Sequence, residues 1–169
     1  MSQAKLFTKE KQMKRFIQER WPWLEEVRGM RLQLLDILSN ADLAFSPGGQ
    51  NSMFGTLLRK MGDIEYSYIQ SLKTFKQDWS YHNMEEGLES DIIRLKAWYQ
   101  TLDNELQATI SAFSHKDFTK IIVRGGFHST VEREIGHYGE ALLIFLGKAT
   151  IYLKAMNKPV PESIENTIG

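Results

Sequence analysis

Histidine is the side chain best suited to bind a metal or transfer a proton near neutral pH, and this sequence has four histidines. His137 falls within a long helical pattern, where Asp63 or Glu134 could join it to form a metal site. His128 precedes Glu132 by four residues, but that pair falls at the exposed start of the same helix. The other two histidines lie in predicted loops. Because three ligands do not converge, we interpret His137 as a hydrogen-bonded structural residue and expect no metal and no cofactor.

Nucleophilic catalysis finds little support in the residue types. The chain has no cysteine, and a Gly-x-Ser-x-Gly turn is absent. Adjacent or near-adjacent carboxylates occur at Glu25-Glu26, at Glu85-Glu86 and at Glu132 with Glu134. They fall at helix starts or on polar faces, where acidic side chains favour the helix dipole. We therefore expect these carboxylates to be structural.

Lys60 lies on, or at the edge of, an apolar helical face, three residues after a leucine and four before an isoleucine. Burying an unpaired ammonium is costly, so the simplest expectation is a buried stem with the charged head in water. A second possibility is an ion pair with Asp63, Glu134 or Glu140. A third is a lysine in an apolar cleft that acts, together with His137, as a base or nucleophile.

Length and composition set the protein class. The chain has 169 residues, 42% of them hydrophobic, with a formal net charge of zero. A neutral balance argues against nucleic acid as a partner, because phosphate binding relies on clustered lysine and arginine. No apolar run approaches the roughly 20 residues of a membrane helix, and the first residues do not resemble a signal peptide. We expect a soluble, cytoplasmic protein without membrane or nucleic-acid partners.

Four amphipathic patterns predict the elements that position these side chains. The last one begins at Ser129, which forms a capping box with Glu132, and ends near Asn157 before two prolines. Its inward positions recur at steps of four and three: Val131, Ile135, Tyr138, Leu142, Phe145, Ala149, Tyr152 and Met156. Between Ala141 and Gly147 it is apolar on every side, so we expect it to be central or to form a subunit interface.

The patterns together predict an all-α fold, an up-down-up-down four-helix bundle with a long crossover before the last helix and a short N-terminal accessory helix. We divide the chain into an N-terminal arm (residues 1–20), the bundle (21–161) and a C-terminal tail (162–169). The segment 114–128 has too little regularity to distinguish an extended stretch from a helical turn.

Two segments resemble the DinB/YfiT-like family. The run from Phe145 to Lys148, followed by an apolar stretch and Lys-Pro-Val-Pro, looks like the family's last helix. The run Leu57-Leu-Arg-Lys-Met-Gly-Asp-Ile-Glu65 looks like the family's second-helix motif, in which a histidine binds the metal. In this chain Lys60 stands at that histidine position, and Ala141 and Phe145 stand where the last helix would supply two more.

The resemblance implies a degenerate metal site, because alanine and phenylalanine offer no donor and an ammonium repels a cation. Relatives include metal-dependent thiol-S-transferases, but this chain lacks their ligands. We favour a metal-free, non-catalytic binding or stress-associated protein, a homodimer through an apolar helix face, with an unknown small molecule as a further possible partner. The alternative is an enzyme that keeps the family pocket, thiol-transferase-like, and uses Lys60 and His137 or a rebuilt metal site.

Overall fold

The computed structural model describes residues 20–114 and 116–169. Its helices are α1 (Trp21–Asp36), α2 (Asn40–Leu43), α3 (Phe54–Thr74), α4 (Ile92–Ser111), α5 (Val131–Ala155) and α6 (Glu162–Ile168). Strands β1 (Ile121–Arg124) and β2 (Phe127–Thr130) form one antiparallel hairpin, and 3₁₀ helices occupy Leu88–Ser90 and Asp117–Thr119. The mostly helical prediction is confirmed. The predicted N-terminal arm lies almost wholly outside the described residues.

The irregular segment before the last helix is the hairpin. Its two-residue loop is Gly125-Gly126, and Gly125 has a φ of 55°, a conformation that glycine adopts without a side-chain clash. Ser129 belongs to β2, so the predicted capping box is wrong. Thr130 caps α5 instead, and its hydroxyl accepts the backbone N–H of Arg133 at 3.3 Å.

The last helix ends as the sequence predicts. Asn157 has a φ of 55°, the left-handed conformation expected there. Lys158 N–H then donates back to the Leu153 carbonyl at 2.9 Å, which satisfies one of the free carbonyls of the last turn. Beyond it, the residues assigned to a tail form α6, whose Ile164 is fully buried.

The buried face of α5 differs slightly from the predicted one. Six of the eight predicted inward residues are buried, but Phe145 and Met156 are only partly covered. Leu146 and Leu153, which were not among the eight predicted residues, are also fully buried. The apolar side chains of α1, α3, α4 and α5 share one core.

The helix directions differ from the predicted alternation. Trp98 of α4 packs on Gly62 of α3, and further along both helices Gln70 donates to Glu105 at 2.8 Å. Because both partners advance along the sequence together, α3 and α4 run in the same direction. A long connection, residues 75–91, must therefore return the chain along α3. The predicted up-down-up-down order is wrong at this step.

Helices α1 and α5 also run in the same direction. Near their starts, Trp23 packs on Gly139. Beyond their ends, Lys158 pairs with Asp42 at 2.7 Å. A long crossover exists, as predicted, but there is another between α3 and α4 that the helical patterns did not indicate.

Within residues 20–114 and 116–169, none of the helices combines the length and the apolar character needed to cross a membrane.

Candidate functional site

Glu134 and His137 lie one turn apart on α5 and share an arginine from the hairpin. Arg124 Nη1 is 2.7 Å from His137 Nδ1 and 3.3 Å from Glu134 Oε2. A guanidinium has no acceptor, so His137 Nδ1 must accept this hydrogen bond and carry no proton. From the sequence, either Asp63 or Glu134 could join His137. Glu134 is the one that lies near it, with Oε2 3.6 Å from His137 Nδ1, and the sequence did not predict the arginine between them.

Aromatic rings surround the same arginine. The Arg124 guanidinium carbon lies 5.7 Å from the ring centre of Tyr68, 5.5 Å from that of Trp79 and 5.9 Å from that of Phe127. These distances suit cation–π attraction. Burial raises the pKa of Tyr68, and the charge of Arg124 opposes that rise. The rings thus hold the guanidinium in place over α5.

The backbone after α3 brings Trp79 to this position. Val123 N–H donates to the Phe75 carbonyl at 3.0 Å, and Gln77 N–H donates to the Val123 carbonyl at 2.8 Å. The residues that follow α3 therefore pair with β1. We call the group of Tyr68, Trp79, Arg124, Phe127, Glu134 and His137 the arginine cluster.

One acceptor in the arginine cluster lacks a donor. Glu134 is fully buried, and its Oε1 has no hydrogen-bond partner among the described residues. Buried polar atoms of this kind are normally satisfied by a protein group or an ordered water, because leaving them unpaired is costly. Glu134 Oε1 is therefore a buried acceptor that the arginine cluster itself does not satisfy.

Lys60, Ala141 and Phe145 are the positions at which the resemblance would place metal ligands. Lys60 is exposed, and Ala141 and Phe145 are partly buried. The exposure of Lys60 contradicts the hypothesis of an ammonium in an apolar cleft, and no ion pair joins it to any described residue. The Phe145 ring instead lies under the ammonium of Lys148, 5.2 Å from its centre.

Asp63 does not approach Glu134 or Lys60 through any hydrogen bond or ion pair of the described chain. It anchors the 75–91 connection to α3. Its carboxylate accepts the Asn83 N–H at 2.9 Å, and it pairs with His82 at 2.9 Å and Arg59 at 3.3 Å. His82 was assigned to a loop without a role. No sequence signal identified it, because the contact depends on how the connection folds back over α3.

The contacts around Arg59 extend this anchor. Arg59 also pairs with Glu89, which accepts the Thr56 hydroxyl at 2.6 Å. Arg59, His82 and Glu89 border a cavity of about 300 Å³ between α3 and the connection. Since Arg59 pairs with Asp63 and Glu89, and His82 pairs with Asp63, we interpret the cavity as part of the anchor.

A fully buried arginine was missed by the sequence analysis. Arg31 pairs with Glu65 and donates to both oxygens of Asp103, at 2.6 and 2.7 Å. Tyr138 donates its hydroxyl to Glu65 at 2.7 Å. The four residues come from α1, α3, α4 and α5, so this core ion cluster joins all the long helices. A signal existed, because Arg31, Glu65 and Asp103 occupy positions within otherwise apolar seams.

A second, larger groove of about 490 Å³ lies between the C-terminal halves of α3 and α4. Its lining includes Phe75 and Phe113, with Lys73 and Lys120 among its charged residues. Both lysines already pair with carboxylates, Glu105 and Asp117 respectively. The volume falls within the range of small-molecule sites, about 300–1,000 Å³.

Residues 20–114 and 116–169 contain no group of three or more histidines and acidic residues placed to hold a metal ion. No protein-family model matches the chain, and no curated protein matches it.

Proposed function

We propose that this chain is a DinB-like four-helix bundle that works without a metal ion, as a non-catalytic binding or stress-associated protein. The observation that carries the proposal is the position of Arg124, whose guanidinium contacts both His137 and Glu134. These two side chains form one of the histidine–carboxylate pairs that could contribute to a rebuilt metal site. Arg124 already occupies His137 Nδ1 and Glu134 Oε2, and it leaves Glu134 Oε1 without a donor among the described residues.

The chemistry of these groups supports a metal-free state. A transition metal needs the lone pair of a neutral imidazole and the negative charge of a carboxylate. Arg124 uses the Nδ1 lone pair of His137 and pairs with the Glu134 carboxylate. Because a guanidinium keeps its charge in proteins, a metal would have to displace Arg124 against charge repulsion as well as lost hydrogen bonds.

The four-helix arrangement is supported by the core ion cluster, to which each long helix contributes one residue. The resemblance to the DinB/YfiT-like family rests on the sequence segments around Lys60 and Phe145 alone. A small-molecule partner, where one exists, would suit the groove beside Phe113, whose volume is about 490 Å³.

Measuring the metal bound to the protein tests this proposal directly. Tag-free full-length protein is soaked separately in Zn²⁺, Ni²⁺ and Mn²⁺, desalted and analysed by mass spectrometry for bound metal. We expect far less than one ion per chain in each case. One tightly held ion per chain that is lost in His137→Ala, but kept in His128→Ala, would overturn the proposal and establish the arginine cluster as a metal site.

The enzyme alternative depends on an activated Lys60. Because Lys60 is exposed, we expect amine-selective labelling near neutral pH to modify it at the same rate as Lys76, another exposed lysine. A rate for Lys60 at least tenfold above that of Lys76 would favour the alternative.

A further inference from the structure

The outer face of α5 carries an apolar ridge, Ile144 and Ile151, that is largely open to solvent. Between the two isoleucines, Gly147 borders α6: a Cβ atom added there would lie 3.4 Å from Ile168 Cγ2. Ile144 and Ile151 are each 60% exposed, the largest exposed fractions of hydrophobic side chains on this helix. They lie seven residues apart, so they project from the same side, about 10 Å apart along the axis. Glu140 precedes Ile144 by one turn, and Lys154 follows Ile151 by three residues; both are exposed.

We propose that this ridge pairs with the same ridge of a second copy of the chain, with the two α5 helices antiparallel. In a two-fold interface, residue i contacts residue j of the partner and residue j contacts residue i. An axis midway between Ile144 and Ile151 places each isoleucine against the other isoleucine of the partner subunit. The ridge is thus complementary to itself.

The charges favour the antiparallel orientation. About the same axis, Glu140 lies next to the partner's Lys154, and this contact occurs twice. Neither residue forms an ion pair with another described residue, so both charges are available. In a parallel pair with the isoleucines aligned, Glu140 would face the partner's Glu140, and Lys154 would face the partner's Lys154. Both contacts would bring like charges together, which is repulsive.

Lys148 lies close to the proposed axis and would otherwise bring two ammonium groups together. Its ammonium lies over the ring of Phe145 on its own helix, 5.2 Å from the ring centre. This position keeps the charge beside its own helix. The groups between the isoleucines are Gly147 and the adjoining Ile168 of α6, which are apolar.

The expected affinity is moderate. Two isoleucines per copy form a small apolar centre, and interfaces below about 1,200 Å² belong to weak or transient complexes. We therefore expect a dimer in the micromolar range that dissociates on dilution. The proposal concerns the outer face of α5 and is independent of whether the arginine cluster binds a metal.

The test is sedimentation velocity of the full-length chain over a dilution series. We expect a concentration-dependent dimer, and at least tenfold weaker dimerisation for Ile144→Glu and for Ile151→Glu. Ile93→Glu is the matched control, because Ile93 is 75% exposed on α4, away from the ridge. It should dimerise as the unmodified chain does.

Charge exchange tests the orientation separately. Glu140→Lys and Lys154→Glu should each weaken the dimer, and the double variant should restore it. These exposed substitutions also keep the proposal testable if the isoleucine variants fail to fold. Three results would overturn the proposal. They are a monomer at every concentration, a dimer that Ile144→Glu leaves intact, and a double variant that dimerises more weakly than both single variants.

Discussion

Arg31 Nη2 donates hydrogen bonds to both carboxylate oxygens of Asp103, at 2.6 and 2.7 Å, and joins α1 to α4 inside the core. Burial on its own lowers the pKa of Arg31, but the charges of Glu65 and Asp103 outweigh that effect, so the pKa of the guanidinium is raised. Arg31 therefore remains charged in the core, and its removal would leave buried carboxylates without their main partner.

Replacing Arg31 with Met should lower the free energy of unfolding by about 3–5 kcal/mol, because breaking a buried ion pair leaves an uncompensated charge. Urea unfolding measures the loss.

Arg28→Met is the control. Arg28 donates to Asp103 at 2.7 Å, but its loss leaves Arg31 in place, so the effect should be smaller. The double variant Arg31→Met with Glu65→Gln should recover part of the stability. A loss below about 1 kcal/mol for Arg31→Met would contradict the importance of the core ion cluster.

Gly139 allows α1 to approach α5. A Cβ atom added there would lie 2.3 Å from the Trp23 ring, so Gly139→Ala should destabilise the protein by about 1–3 kcal/mol through overpacking. Gly136 lies in the same helix, and a Cβ there would meet nothing within 4 Å. Gly136→Ala should therefore stabilise by about 0.5–1 kcal/mol through helix propensity. Thermal and urea unfolding measure both. Equal effects of the two substitutions would mean that Trp23 does not pack against Gly139.

Asp63 should hold the 75–91 connection against α3. The isosteric change Asp63→Asn removes the negative charge that pairs with His82 and Arg59, so the connection should open more readily. Hydrogen exchange is expected to quicken at the Asn83 amide, which donates to Asp63 at 2.9 Å. Glu85→Gln is the control, since that side chain is 50% exposed. An unchanged exchange rate at the Asn83 amide would show that the ion pairs of Asp63 do not hold the connection against α3.

Asp117 should contribute to stability in mild acid. Hydrogen bonds from Lys120 and Ser114 lower its pKa from 3.8 to about 2. A depressed pKa means that the folded state favours the carboxylate. The contribution is therefore present above pH 4 and is lost as the pH falls from about 4 towards 2. It should stay below about 1 kcal/mol, because the partner Lys120 is 50% exposed and solvent screens the ion pair.

Unfolding free energies measured between pH 5 and pH 2 test this contribution. Asp117→Asn should flatten the acid dependence in that window. Ser114→Ala should give an intermediate profile, because its backbone N–H still donates to Asp117 at 2.7 Å. An unchanged slope in Asp117→Asn would exclude the contribution.

Local patterns in the sequence determined most of the secondary structure. The four-three recurrence of apolar residues predicted α5 and most of its buried face, because helical periodicity depends only on neighbours within two turns. Asn157 and the prolines after it predicted where that helix ends, again through local backbone preferences. For His137 the sequence left Asp63 and Glu134 open as partners; Glu134, three residues away on the same helix, is the one that lies near it.

Tertiary structure decided what depends on contacts between distant segments. The common direction of α3 and α4 follows from how residues 75–91 fold back, and no helical period encodes that path. Arg124 reaches His137 only because a hairpin forms, and its four-residue strands are too short to show a clear period. Arg31 and Glu65, distant in sequence, are compatible with burial only when the packed helices bring their charges together, since desolvation of either charge alone is too costly.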